Sequence, residues 1–189
     1  MPGRRAEQPR PNERESDLMT PEQRAARVRL VVLDVDGVLT DGRLYYGPDG
    51  EALKVFDVRD GHGVKMLLAR GIDVAILSAR ASAIVEHRAR ELGITRVLQG
   101  RGDKATAFGE LLIEARLDAD DAAFIGDDLP DLPVLRSAGF AMTVEDARDE
   151  VKRAAHWIAP CAGGRAAVRA CAEFILRAQG IDVATMVAG

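Results

Sequence analysis

The feature that most narrows the fold is an alternation. From Val28 to Ala178, short β-branched and aliphatic runs trade places with helix-patterned stretches. The first run, Val28-Arg29-Leu30-Val31-Val32-Leu33-Asp34, is almost continuously apolar. That pattern reads as a strand covered on both faces. Further strands are expected at Ile72 to Leu77, Arg96 to Leu98, Ala122 to Ile125, Phe140 to Met142 and His156 to Ile158. Helices are expected between them, at about Asp60 to Ala69, Ala81 to Leu92, Asp103 to Ala115, within Leu129 to Ala138, Ala147 to Ala154 and Arg165 to Ala178. Gly71 and Gly93 stand where helix C-caps belong. Such alternation builds βαβ units, so the expected fold is α/β, a doubly wound, Rossmann-like parallel sheet with helices on both faces. Ligands of such sheets sit beyond the carboxyl ends of the strands.

One segment breaks the alternation. Leu44-Tyr45-Tyr46 and Ala52 to Phe56 flank Gly47-Pro48-Asp49-Gly50, which predicts a β-hairpin after the first strand. Residues 1–26 carry Pro2, Pro9, Pro11 and Pro21 and few large apolar groups. They cannot bury enough surface to offset the entropy of ordering, so a disordered tail with a short helix after Pro21 is expected. The domain is expected over residues 27–180, with a C-terminal tail at 181–189. The N-terminal segment lacks an apolar stretch of the secretory kind. No run of about 18 apolar residues suits a membrane span. The net charge of -4 gives no reason to expect nucleic acid as a partner. A cytoplasmic protein is therefore expected, with Cys161 and Cys171 as idle thiols.

Four features fall at the expected strand ends. The first is Asp34-Val35-Asp36-Gly37-Val38-Leu39-Thr40-Asp41-Gly42. Two carboxylates two residues apart leave a strand end on the same side. One can attack phosphorus, splitting hydrolysis into two displacements, while the other handles the leaving group's proton. Gly37 lets the chain turn where a side chain would obstruct phosphate. The second is Ser78-Ala79-Arg80. A hydroxyl there, beside the N–H groups of the next helix, suits a phosphate oxygen, although a serine before a helix is ordinarily just an N-cap. The third is Lys104, a positive charge for nucleophile and phosphoryl group. Lysine occurs only at Lys54, Lys65, Lys104 and Lys152 in an arginine-rich chain, which makes each one worth following. The fourth is Gly126-Asp127-Asp128-Leu129-Pro130-Asp131. Its carboxylates can face Asp34 and hold Mg²⁺, which prefers oxygen ligands. Adjacent Asp127 and Asp128 repel each other unless a cation compensates them.

These motifs, in this order, resemble the haloacid dehalogenase superfamily of phosphohydrolases. The resemblance runs from about Val28 to Gly180. It implies that Asp34 is the nucleophile and Asp36 the general acid/base. It implies Mg²⁺ held by the Asp34 carboxylate, the Asp36 backbone carbonyl and Asp127, with Asp128 and Asp131 supporting the metal site. Ser78 and Lys104 would bind the phosphoryl group, with Ala79 and Arg80 beside Ser78 in the substrate-binding segment. The hairpin, FDVRDGHG, QGRGDK, GDDLPDLPVL and a late GGRAAVR are similar to the 3-deoxy-D-manno-octulosonate 8-phosphate phosphatases within that superfamily. That family acts on a sugar acid phosphate in lipopolysaccharide precursor synthesis, has no cap domain and assembles as a homotetramer through its hairpins. The same is expected here. A nine-carbon keto-deoxy sugar acid phosphate is the alternative substrate, and a non-catalytic oligomeric binding module the remote alternative.

Two departures from the family pattern stand out. Ala79 replaces the usual glycine, and Gly163-Gly164-Arg165-Ala166 replaces Gly-Gly-Lys-Gly. A sugar acid also carries a carboxylate, which arginine binds bidentately. Arg59, Arg80 and Arg88 are the expected candidates.

Overall fold

The structure, a computed structural model, describes residues 18–186. It opens with a short helix, α1 (Pro21–Ala25), capped by Thr20 and carrying Pro21 in its first turn. The remaining elements are β1 (Leu30–Leu33), β2 (Tyr45–Gly47), β3 (Gly50–Leu53), α2 (Val58–Ala69), β4 (Asp73–Leu77), α3 (Ala83–Leu92) and β5 (Arg96–Leu98). Then follow α4 (Lys104–Ala115), β6 (Ala122–Ile125), a 3₁₀ turn (Leu129–Asp131), α5 (Leu132–Leu135), β7 (Phe140–Thr143), α6 (Asp149–Ala154), β8 (Trp157–Ile158) and α7 (Ala167–Ala178).

Six strands form one sheet in the order β5-β4-β1-β6-β7-β8, and every pair is parallel. Chain order runs outward from β1 through β4 to β5, then returns to β6 on the other side. Parallel crossovers are right-handed, so this reversal places the two sets of helices on opposite faces. It also makes β1 and β6 the switch point, where a doubly wound sheet opens its ligand crevice. Leu33 is level with Ile125 on β6 and Ile76 on β4, so the ends of the central strands are nearly flush. All four residues of β1, β6 and β7 are buried, as their apolar runs require.

β2 and β3 form a separate two-stranded antiparallel ribbon. Its pairing runs up to Gly47 and Gly50, leaving Pro48 and Asp49 at the tip. The ribbon is the only element between β1 and α2, so no cap-sized domain interrupts the described residues.

The expected boundaries shift at both ends. Residues 1–17 of the expected tail, and 187–189, lie outside the described residues. The stretch before residue 27 is not all tail: the capped α1 packs on α7 and Ala25 is fully buried. Thr20 and Gln23 complete a capping box there, each side chain accepting the other's backbone N–H. Likewise Ile181, Val183 and Met186 of the expected C-terminal tail pack against the core. Both cysteines are free, and Cys171 is buried.

Candidate active site

The loop after β1 is built by a tight turn. The backbone N–H of Asp34 donates to Ile125 O at 3.0 Å, tying the end of β1 to β6. The carbonyl of Val35 then accepts from the N–H groups of Val38, Leu39 and Thr40. Gly37, at φ 93°, brings the chain against Asp127: a Cβ there would lie 2.1 Å from the Asp127 Oδ2. The loop rests on the later glycine pair. A Cβ on Gly163 would stand 1.8 Å from the carbonyl oxygen of Gly37, and Gly164 N–H donates to Val38 O at 2.9 Å. Only glycine permits backbones to approach so closely.

Lys104, in the first turn of α4, is buried beneath this loop. Its Nζ stands 2.9 Å from Asp34 Oδ1 and donates to Asp131 Oδ1 at 2.6 Å. Burial alone would depress the ammonium, but Asp34 and Asp131 outweigh it and hold its pKa above the ordinary lysine value. Burial pushes the Asp34 carboxyl up to about 6, with Asp131 adding to the rise and Lys104 opposing it. The other oxygen of Asp131 accepts the backbone N–H groups of Asp127 at 2.9 Å and Asp128 at 3.2 Å. Asp131 therefore spends its hydrogen-bonding capacity on shaping the loop after β6 and on steadying Lys104.

Asp34, Asp36, Ser78, Ala79, Arg80, Lys104, Asp127, Asp128 and Asp131 meet around a cavity of about 330 Å³ at the strand ends. Ser78, after β4, is buried, and its Oγ accepts the N–H of Arg80 at 3.2 Å. Ala79 does not adopt positive φ. The methyl in place of glycine therefore carries no backbone penalty, contrary to what the departure from the family motif suggests. Asp128 is exposed; its carboxylate accepts the N–H of Leu129 at 2.8 Å and lies 3.8 Å from Arg148. Arg59 and Arg88 stand outside the lining of this cavity. Arg59 is exposed and its guanidinium is engaged by Asp57 at 2.6 Å. Arg88 lies over the ring of Phe56 at 5.8 Å and bonds Glu91 at 3.4 Å. Helical spacing alone does not say which face a side chain takes up.

Sequence reasoning missed Lys54 and Glu51. Lys54, just beyond β3, buries its side chain and forms an ion pair with Asp36. Its Nζ is also 3.0 Å from Glu51. The rarity of lysine in this chain was the available signal.

The cluster suits a divalent cation. Oxygens of Asp34, Asp127 and Asp131 lie within 4.8 Å of one another. Asp127 Oδ1 is buried without a hydrogen-bond partner. Burial, then Asp34, Asp131 and Asp128, push the Asp127 carboxyl up to about 8. Crowded carboxylates with an orphan oxygen are what a hard cation stabilises.

Comparison with known proteins supplies the family. Residues 91–168 match the model for haloacid dehalogenase-like hydrolases. The 3-deoxy-D-manno-octulosonate 8-phosphate phosphatase of Yersinia pestis is 46% identical over 157 residues, covering 83% of this chain and 84% of that protein. The chain belongs to this phosphatase family. Solved structures of 3-deoxy-D-manno-octulosonate 8-phosphate phosphatases share its shape. The cobalt-bound enzyme of Haemophilus influenzae superposes with a TM-score of 0.85 at 42% identity, over 88% of this chain and 97% of that one. The Moraxella catarrhalis phosphatase, in complex with magnesium, phosphate and KDO, superposes with a TM-score of 0.83 at 41% identity, over 85% of this chain and 92% of that one. Among the described residues, no helix is long and apolar enough to cross a membrane.

Proposed function

We propose that this chain hydrolyses 3-deoxy-D-manno-octulosonate 8-phosphate to the free sugar acid and inorganic phosphate, as a step in lipopolysaccharide precursor synthesis. The observation that carries the reading is the convergence of Asp34, Asp36, Ser78, Lys104 and Asp127 on one cavity. The complex of the Moraxella relative with magnesium, phosphate and KDO supports the choice of substrate.

Asp34 attacks phosphorus and the bond from phosphorus to the sugar oxygen breaks. Asp36 gives its proton to the departing oxygen. The product is an aspartyl-phosphate on Asp34. Water then attacks that phosphorus, Asp36 takes its proton, and inorganic phosphate leaves with Asp34 restored. Lys104, 2.9 Å from Asp34, keeps the nucleophile ionised and offsets charge gathering on the phosphoryl oxygens. Ser78 and the N–H groups after β4 bind those oxygens. Asp34, Asp127 and the Asp36 carbonyl would hold Mg²⁺, which when bound supplies positive charge to the phosphoryl group.

A homotetramer in the cytoplasm belongs to the same reading. The exposed Tyr46, Leu53 and Val55 on and beside the hairpin support assembly through that ribbon. The mass in solution, by light scattering, tests it: a monomer would remove assembly from the proposal.

The test of function is phosphate release from 3-deoxy-D-manno-octulosonate 8-phosphate beside a panel of sugar phosphates that includes a nine-carbon sugar acid phosphate. The expected result is strong preference for the eight-carbon substrate, lost with chelator and in Asp34→Asn. Equal rates across the panel would sink the substrate assignment. No release from any phosphomonoester would sink the enzyme.

A further inference from the structure

We propose that Lys54 is a positioning residue for Asp36, through which the hairpin becomes part of the catalytic apparatus; this rests on the reading of Asp36 as the proton-handling carboxylate. The two aspartates of the Asp34-Val35-Asp36 motif each own a buried lysine. Asp34 has Lys104. Asp36 has Lys54, whose side chain is 1% exposed although the hairpin it belongs to is largely open to solvent. Burying an ammonium is unfavourable unless it is paired. A lysine sunk from an open ribbon onto one carboxylate is therefore held there by its partners.

The contact is specific to one oxygen. Lys54 Nζ donates to Asp36 Oδ1. The other oxygen, Oδ2, has Arg80 Nε at 3.5 Å, and that Nε makes no hydrogen bond. Arg80 and Asp36 both line the cavity. Lys54 thus occupies Oδ1, and Oδ2, beside Arg80, is assigned to the leaving oxygen and the later water.

Lys54 is itself braced. Glu51 stands 3.0 Å from its ammonium and 3.5 Å from Arg80 Nη2, and its other oxygen accepts the hydroxyl of Ser82 ahead of α3. Tyr46 of the hairpin accepts from Arg80 at 3.3 Å. The ribbon is therefore bolted to the loop after β4 by the same charges that orient Asp36. Without a cap domain, a catalytic side chain on a loop needs such support to stay within the fraction of an ångström that proton transfer demands.

The experiment compares two leaving groups. A sugar alkoxide needs a proton to depart, whereas p-nitrophenolate does not. kcat/KM reports only through leaving-group departure, so on that parameter only the first substrate depends on a correctly aimed Asp36, although Asp36 later serves the water with both. Lys54→Met is expected to lower kcat/KM about 100-fold on an alkyl phosphomonoester that the unmodified enzyme hydrolyses, and less than about tenfold on p-nitrophenyl phosphate. Inhibition by inorganic phosphate should stay within about threefold. Lys54→Arg should recover most of the lost rate, and Lys54→Met should add little in an Asp36→Asn background. Equal losses of kcat/KM on both substrates, or a raised KM with unchanged kcat on the alkyl ester, would overturn the positioning role. If Lys54→Met does not fold, Lys54→Gln carries the same comparison. Activity of the unmodified enzyme on p-nitrophenyl phosphate but on no alkyl ester would overturn the reading of Asp36 instead, which keeps the two failures distinct.

Discussion

Gly37 and Asp127 occupy nearly the same space: a Cβ on Gly37 would lie 2.1 Å from Asp127 Oδ2 and 2.5 Å from its Cγ. Gly37 also sits at φ 93°, where side chains are strained. Gly37→Ala must push the Asp127 carboxylate out of the acidic cluster or reshape the turn after Asp34. A displacement of about 1 Å at such a site costs about 100-fold in rate. A fall of that size in kcat, with far-ultraviolet circular dichroism unchanged, is expected. Wild-type kcat in this variant would contradict the assignment of Asp127.

Asp131 couples the two halves of the site. One oxygen holds Lys104 and the other holds the N–H groups of Asp127 and Asp128. Asp131→Asn keeps the shape but loses the charge that fixes Lys104. Outer partners of this kind are worth about 10–100-fold in metal affinity or activity. Mg²⁺ titration by calorimetry and steady-state rates should both record a loss in that range.

Asp60 does for α7 what α7 does not do for itself. The helix has no side-chain cap of its own. The buried Asp60 of α2 accepts the N–H groups of Ala166 at 3.2 Å and Arg169 at 2.9 Å. Burial nevertheless dominates and pushes its carboxyl up from 3.8 to about 6. An acid whose folded pKa is raised binds its proton more tightly in the folded state. Its contribution to stability is thus full below about 4 and lost as pH rises through about 6, a change on the order of 3 kcal/mol. Urea unfolding between pH 4 and 7 should be less pH-dependent in Asp60→Asn than in the parent. Parallel curves would contradict this account.

Ala166 carries the strain that glycine would avoid. It sits at φ 71°, where an L-residue pays about 1–2 kcal/mol. Glycine there loses more unfolded-state entropy, about 0.5–1 kcal/mol. Ala166→Gly should therefore stabilise the fold by about 0.5 kcal/mol, read from the urea midpoint at constant m. A destabilised variant would mean that the buried methyl outweighs the backbone term.

Much of the site was legible because its motifs are local. An apolar run ending in Asp34-Val35-Asp36-Gly37 signals a buried parallel strand and what lies past its end. In a parallel α/β sheet, every such end opens on one side. That rule alone brings Ser78, Lys104 and Asp127 to Asp34 without knowledge of any contact. Arg88 was not legible. Its helix was expected where it stands, but whether the guanidinium faced the cavity or Phe56 depended on α3's rotation against its neighbours.

The sequence by itself determined the strands, the helix caps, the hairpin and the family of chemistry, because periodicity, turn residues and strand-end motifs act over a few residues. Tertiary structure alone decided the pairs that span the chain. Lys54 on Asp36 bridges 18 residues, Lys104 on Asp131 bridges 27, and Asp60 on Arg169 bridges 109. Each brings a charged group into the interior, where it is tolerated only beside its partner. Which partner that is depends on where packing sets two backbones and which way their side chains turn.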